Sequence, residues 1–380
     1  MTRLAYTTLF FVNAIVAMAL RAFGDRFLKY LWSFDTCTDE AANPHCVGNQ
    51  AVYRASFAMS CFFVLMALVS ALSERGFNNC CCLWCFQLPL YGVMFVGSFT
   101  IPNDFFYGFA WVARVASVGF LVLQVIIIID TTYNVRDYLL DKIDASHADE
   151  RVSLLSFDER STLSCSRYRS WFWKALFFGL VLGALGGSLV GVGFLYHYYD
   201  ICQIGHVFTT VTLVASAVVT GLSVTSEGPG LLPPAILSLY TVFLCYEALR
   251  ANPDAQCNPF LAYQASSTVN TVIAALIGAA TITWTSWSTA SSLIRLDTLS
   301  DENLEGAPKD KQSDVPSWQF HAVMVVGSLY MAMVVTQWGT ATGQQDGAAM
   351  WVHIASQWVA SALFVWTLVA PYLFPDREFS

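Results

Sequence analysis

Ionisable side chains inside long apolar runs are costly to place, so they are the first candidates for chemistry. Arg114 lies inside the apolar run 105–130, ~14 Å along a helix from Phe105. Asp130 closes that run, and Gln124 stands between the two. A cation, an amide and a carboxylate on one helix suit a path for a lipid head group or a small solute. Their bland roles are snorkelling of Arg114 to an interface, a packing hydrogen bond for Gln124 and a helix-end charge at Asp130. A second candidate occupies 266–290. Ser267, Thr271, Ala274, Gly278, Thr281, Thr285, Ser288 and Ser292 recur at alternating spacings of four and three, so they share one helical face, with Asn270 beside it. Such a stripe either lines a polar groove or lets helices approach closely through small residues. His353 and Gln357 are at i and i+4 and share a face, with His321 on the preceding run. A proton relay and a packing role are both open to them. Glu247 and Arg250, at i and i+3, are expected to pair.

Enzyme templates are missing from the sequence. It has no GxSxG elbow, no phosphate-binding glycine loop and no HExxH. No carboxylate cluster suits a catalytic metal, and no cofactor is expected. Gly186, Gly187, Gly191 and Gly193 fall inside an apolar run and read as packing residues. The sequence therefore reads as a non-enzyme.

The elements that hold these side chains follow from composition. Of 380 residues, 56% are hydrophobic and only 12% charged. Soluble domains carry roughly a quarter charged residues, so most of this surface faces something other than water. The net charge of −8 gives no basic footprint for nucleic acid. A bilayer core of ~30 Å needs ~20 apolar residues as a helix. Ten segments qualify: 4–20, 51–72, 84–101, 105–130, 171–196, 204–226, 231–249, 266–290, 317–338 and 347–374. They lack period-2 alternation, which argues for helices over a barrel. The run 4–20 reads as a first span rather than a cleaved leader.

With Arg3 placed in the cytoplasm, thirteen basic residues fall inside and five outside: Arg21, Arg26, Lys29, Arg54 and Arg250. Both termini are then cytoplasmic. Four cysteines, Cys37, Cys46, Cys202 and Cys257, fall on the outer side, where disulfides persist. Three connectivities are open, and Cys37 with Cys46 and Cys202 with Cys257 is favoured. Cys80, Cys81, Cys82 and Cys85 lie at an inner membrane boundary and are candidates for palmitoylation, with unmodified thiols as the alternative.

Counting spans in fours suggests a faint repeat. The fourth span is compatible with a helix continuing through Asp144, and the eighth with one reaching about 299. The expected organisation is a four-helix unit at 1–144, a cytoplasmic linker at 145–170, a second four-helix unit at 171–299, a loop at 300–316, and two last helices in 317–380.

Several stretches resemble the serine incorporator family. They are Thr367-Leu368-Val369-Ala370-Pro371 with Pro375-Asp376-Arg377-Glu378-Phe379, and Gly48-Asn49-Gln50-Ala51-Val52-Tyr53-Arg54 leading into Phe57-Ala58-Met59-Ser60-Cys61. Thr336-Gln337-Trp338, Phe320-His321 and Thr2-Arg3-Leu4-Ala5-Tyr6 add to them. The family carries a cysteine-rich stretch before the last of these motifs, where this chain starts, and Glu247 replaces a small or hydroxyl residue. The resemblance implies ten helices in two bundles joined by long tilted helices, the fourth and the eighth. It implies residence in plasma membrane or endomembranes. It also implies nucleotide-independent phospholipid scrambling, or support of serine incorporation into phosphatidylserine and sphingolipids. Partners would be membrane phospholipids, serine or serine-lipid synthases. A secondary transporter for serine or a similar solute, and a scaffold for lipid synthases, are the alternatives.

Overall fold

The computed structural model describes residues 3–37, 45–73, 83–155, 160–225, 230–254, 256–259, 283, 318–343 and 347–373. Among these there is no strand. The helices are α1 (Arg3–Phe23), the short α2 (Asp25–Leu28), α3 (Cys46–Ser73), α4 (Leu83–Ser98), α5 (Asn103–Leu155), α6 (Arg160–Tyr199), α7 (Gln203–Thr225), α8 (Leu232–Arg250), α9 (Trp318–Val335) and α10 (Ala348–Leu373). A 3-10 turn spans Trp32–Cys37. Eight of the helices are long and apolar enough to cross a membrane. The expected third span, 84–101, is shorter as a helix: α4 has 16 residues and closes through 3-10 bonds, Phe99 N to Val96 O and Thr100 N to Gly97 O, both 3.1 Å. Pro102 follows and cannot continue it. The expected eighth span lies outside the described residues.

Helix α5 has 53 residues, ~80 Å of helix. Its apolar run, 105–130, is ~39 Å long, so the rest of the helix, with Arg136, Asp137, Asp141 and Lys142, projects beyond a bilayer core of ~30 Å. One stripe keeps it in place. Val125, Ile129, Thr132, Arg136, Leu139, Ile143 and Ser146 alternate by four and three, and all but Arg136 and Ile143 are buried. Leu139 packs with Val181 and Ala184 of α6 and with Leu232 and Ala235 of α8.

The chain forms two compact units that are interleaved in sequence. The first comprises 1–124 with 260–349, the second 125–259 with 350–380. In the first, α3 lies chiefly against α9 and also meets α1 and α4. Small residues allow this approach: Ser56 Oγ donates to Ser328 O at 2.7 Å. Phe57 stacks edge-on with Phe105, Phe106 and Phe109. In the second unit, α6, α7 and α8 pack on one another. A Cβ on Gly191 would stand 2.7 Å from Val242 Cγ1, so α6 and α8 touch only because glycine is there. Val125, Ile129, Val219, Leu237, Ala360, Phe364 and Leu368 form its core. One disulfide lies in each unit, Cys37–Cys46 in the first and Cys202–Cys257 in the second.

Candidate functional site

Polar side chains are concentrated in one place in each unit. In the first unit they surround the turn that ends α9. Gln337 and Trp338 both have positive φ, 54° and 57°, a conformation that costs a non-glycine residue about 1 kcal/mol or more. Trp338 N reaches back to Met333 O at 2.7 Å. The carbonyls thus turned outward need donors, and three helices supply them. Arg21 of α1 donates to Val335 O. Arg114 of α5 donates to Trp338 O at 3.1 Å. From α3, Tyr53 donates to Gly339 O at 2.7 Å, Asn49 to Thr340 O at 3.1 Å and Gln50 to Ala341 O at 3.1 Å. Gly343 ends the turn at φ 86°, where a Cβ would fall 2.5 Å from Cys46 N.

Arg54 anchors the same region. Its side chain is fully buried. It donates to Gln50 Oε1 at 2.8 Å, Ile101 O at 2.9 Å, Ser33 O at 3.1 Å and Asn103 Oδ1 at 2.7 Å. Its guanidinium sits 4.2 Å from the Phe34 ring centre and 4.5 Å from that of Phe106. The charge is thus balanced by carbonyl dipoles and aromatic faces, and no carboxylate lies within ion-pair distance among the described residues. Arg21 and Arg54, both expected on the outer side, lie within helices and bond to backbone carbonyls of the first unit. Helix α3 starts at Cys46, five residues before the expected span, so Arg54 lies two turns inside it. The i,i+4 spacing of Gln50 and Arg54 was the available signal.

In the second unit, hydroxyls line one face of α7: Thr209, Thr212, Ser216, Thr220 and Ser223. Two of the five are satisfied within the helix. Thr212 donates to Phe208 O and Thr220 to Ser216 O. Ser216 and Thr241 of α8 are 3.4 Å apart. Gln357 of α10, fully buried, donates from Nε2 to Thr212 Oγ1 at 2.6 Å. Beside this seam, α7 and α10 part into an apolar groove of about 630 Å³. Val211, Val214 and Val218 form one wall, Ala362, Val365 and Trp366 the other, and Thr210 and Ser361 are its polar members.

The sequence candidates fall in several places. Arg114 serves a backbone carbonyl of the first unit, with Trp111 5.4 Å from its guanidinium. Gln124 is half-buried and its Oε1 has no hydrogen-bond partner. Asp130 accepts from Asn134 Nδ2 at 3.0 Å. His321 is buried, edge-on to Tyr6 at 4.9 Å. His353 lies half-buried one turn from Gln357. Glu247 and Arg250 pair at 3.6 Å. Ser267, Asn270, Thr271, Thr281, Thr285 and Ser288 lie outside the described residues, as do Cys80, Cys81 and Cys82. Cys85 falls in the first turn of α4. The α7 face and Gln357's tie to it were not read from the sequence. The hydroxyl spacing on α7 carried that signal.

Eight membrane-length apolar helices without a strand among the described residues define an all-α, polytopic integral membrane protein. The family model described as serine incorporator matches residues 1–318 and 297–377. The chain belongs to the serine incorporator family. Serine incorporator 2 of Bos taurus is 26% identical, with 100% of this chain and 92% of that protein covered. The probable serine incorporator of Nematostella vectensis is 24% identical, covering 100% and 91%. Serine incorporator 3 of Bos taurus is 26% identical, covering 100% and 92%.

Proposed function

We propose that the protein handles membrane phospholipids, letting them exchange between leaflets without nucleotide, and that serine incorporation into phosphatidylserine and sphingolipids is supported downstream of this. The observation that carries the reading is the α7–α10 groove. Its volume of about 630 Å³ falls in the range of small-molecule sites, and its walls are almost wholly apolar. Along α7 it runs from Thr210 to Val219, ~14 Å, about the depth of one leaflet. An acyl chain matches that length and chemistry, and Thr210 and Ser361 offer hydroxyls to the polar end of the same lipid. Helix α7 also carries the hydroxyl seam, so a polar and an apolar lane run along one helix.

Both termini are assigned to the cytoplasm and the protein to plasma membrane or endomembranes. With the half-buried Arg21 and the buried Arg54 set aside, Arg26, Lys29 and Arg250 stand outside against thirteen basic residues inside. The two disulfides support the same orientation.

The test is leaflet exchange of a fluorescent phospholipid in liposomes holding the purified protein. Exchange should exceed that of empty liposomes, and Val365→Trp or Val218→Trp should slow it about tenfold by filling the groove. No exchange above empty liposomes sinks the lipid reading. Unchanged exchange in folded Trp variants sinks the groove alone.

A further inference from the structure

In the first unit, two turns enclose a small cavity of about 90 Å³. Trp32, Ser33 and Asp35 of the 3-10 turn line one side, and Pro102, Asn103 and Asp104 the other. Arg54 holds both sides in place, donating to Ser33 O at 3.1 Å, Ile101 O at 2.9 Å and Asn103 Oδ1 at 2.7 Å. Asp35 and Asp104 are exposed, and neither makes an ion pair among the described residues. Ser33 is only 4% exposed, yet its hydroxyl has no hydrogen-bond partner. Two unpaired carboxylates and a buried hydroxyl with bonding capacity thus meet at one preformed space.

Charge and size select the occupant. Arg54, bonded to both walls, brings one positive charge against two negative ones, which leaves one negative charge over. The volume equals that of roughly three waters at ~30 Å³ each. An ammonium on a two-carbon arm matches both, and Trp32 adds an aromatic face to it. A trimethylammonium carries three further methyl groups and overfills the space. A calcium ion wants about six to eight oxygen ligands, more than this wall supplies. A serine head group would set its own carboxylate against Asp35 and Asp104. Phe27, Tyr30 and Trp32 are exposed in the same segment, as aromatic rings are at the head-group layer, and the exposed Lys29 among them suits a phosphate. We infer that this cavity binds a primary ammonium of the aminoethyl type, presented by a phosphatidylethanolamine head group or by a free amine. The inference goes beyond the groove reading, and neither depends on the other.

The full-length protein in detergent supplies the test. Saturation-transfer NMR with ethanolamine near neutral pH should show signal on its methylene protons, and choline should show far less. Asp35→Asn and Asp104→Asn should each weaken ethanolamine binding about tenfold, and Ser33→Ala about threefold. Asp144→Asn, at an exposed carboxylate of α5, should leave binding unchanged. Native mass spectrometry with equal amounts of phosphatidylethanolamine and phosphatidylcholine separates the two sources. Preferential retention of phosphatidylethanolamine, lost in Asp35→Asn, assigns the lipid. An ethanolamine signal without that preference assigns the free amine. Neither signal nor preference in the wild type overturns the inference. Undiminished binding in Asp35→Asn and Asp104→Asn proteins that melt like wild type also overturns it, as does choline binding as tightly as ethanolamine. An equal loss in Asp144→Asn overturns it too, because surface charge alone would then account for the binding.

Discussion

The two units solve the problem of polar groups in an apolar setting in opposite ways. Around the α9 turn of the first unit, carbonyls and donors are matched almost one to one. Arg21, Asn49, Gln50, Tyr53 and Arg114 each find a backbone oxygen, and Arg54 finds five acceptors. In the second unit, two of the five hydroxyls on the α7 face satisfy themselves within their own helix, and the space beside them stays open. A matched network has one arrangement that works, so it fixes a fold. Beyond the Gln357–Thr212 bond, the α7 hydroxyls and the apolar groove give the two helices few polar ties, which suits a surface that receives a mobile ligand.

The sharpest way to break this contrast is at Arg54. Arg54→Met leaves the acceptors at Ser33, Ile101, Asn103 and Gln50 without their donor and should cost about 3–5 kcal/mol, read as lost monodisperse protein or a large fall in Tm. A loss under about 1 kcal/mol would remove the claim that this unit is locked by its polar contacts. The disulfides give the next effect. Closing a 55-residue separation in the second unit should stabilise by about 4 kcal/mol, and a 9-residue one in the first by about 2.6 kcal/mol, on chain entropy alone. Paired Cys→Ala variants compared by thermal unfolding check this order. A reversed order would mean that Cys37–Cys46 contributes more through its place beside the Arg54 cluster than through chain entropy. Tyr53→Phe removes one buried donor to Gly339 O and should cost about 1–2 kcal/mol. Smallest is Ser361→Ala in the groove wall, expected within about 0.5 kcal/mol in stability. Comparing the last two by the same melt directly measures how differently the units hold their polar groups.

Much of the fold was legible because lipid-length apolar runs leave few choices. The fourth span's possible continuation past Asp130 was visible in its charges, and α5 runs further still, to Leu155. The favoured disulfide pairing matches the bonds found. The site was far less legible. Hydropathy marks where a run becomes apolar, whereas α3 begins five residues earlier, in polar residues that are buried by protein rather than by lipid. That is why Arg54, near the start of the expected span 51–72, did not stand out as a buried charge. Arg114 showed its depth in the sequence, but its partner, Trp338 O, lies 224 residues away and depends on two left-handed backbone residues that no pattern announces. The α7 face was hidden because threonine and serine interrupt an apolar run without ending it.

The α9 turn also imposes a schedule on the making of the protein. Its donors at Arg21, Asn49, Gln50, Tyr53 and Arg114 are synthesised long before their acceptors at 335–341, across separations of 224 to 314 residues. At about 5–20 residues per second, Tyr53 waits about 15–60 s for Gly339 to leave the ribosome. Until then α1, α3 and α5 stand in the membrane with polar side chains lacking their final partners. The translocon, or a chaperone within the bilayer, must shelter them, and a stall in translation before residue 341 would leave an unfinished chain exposed to quality control.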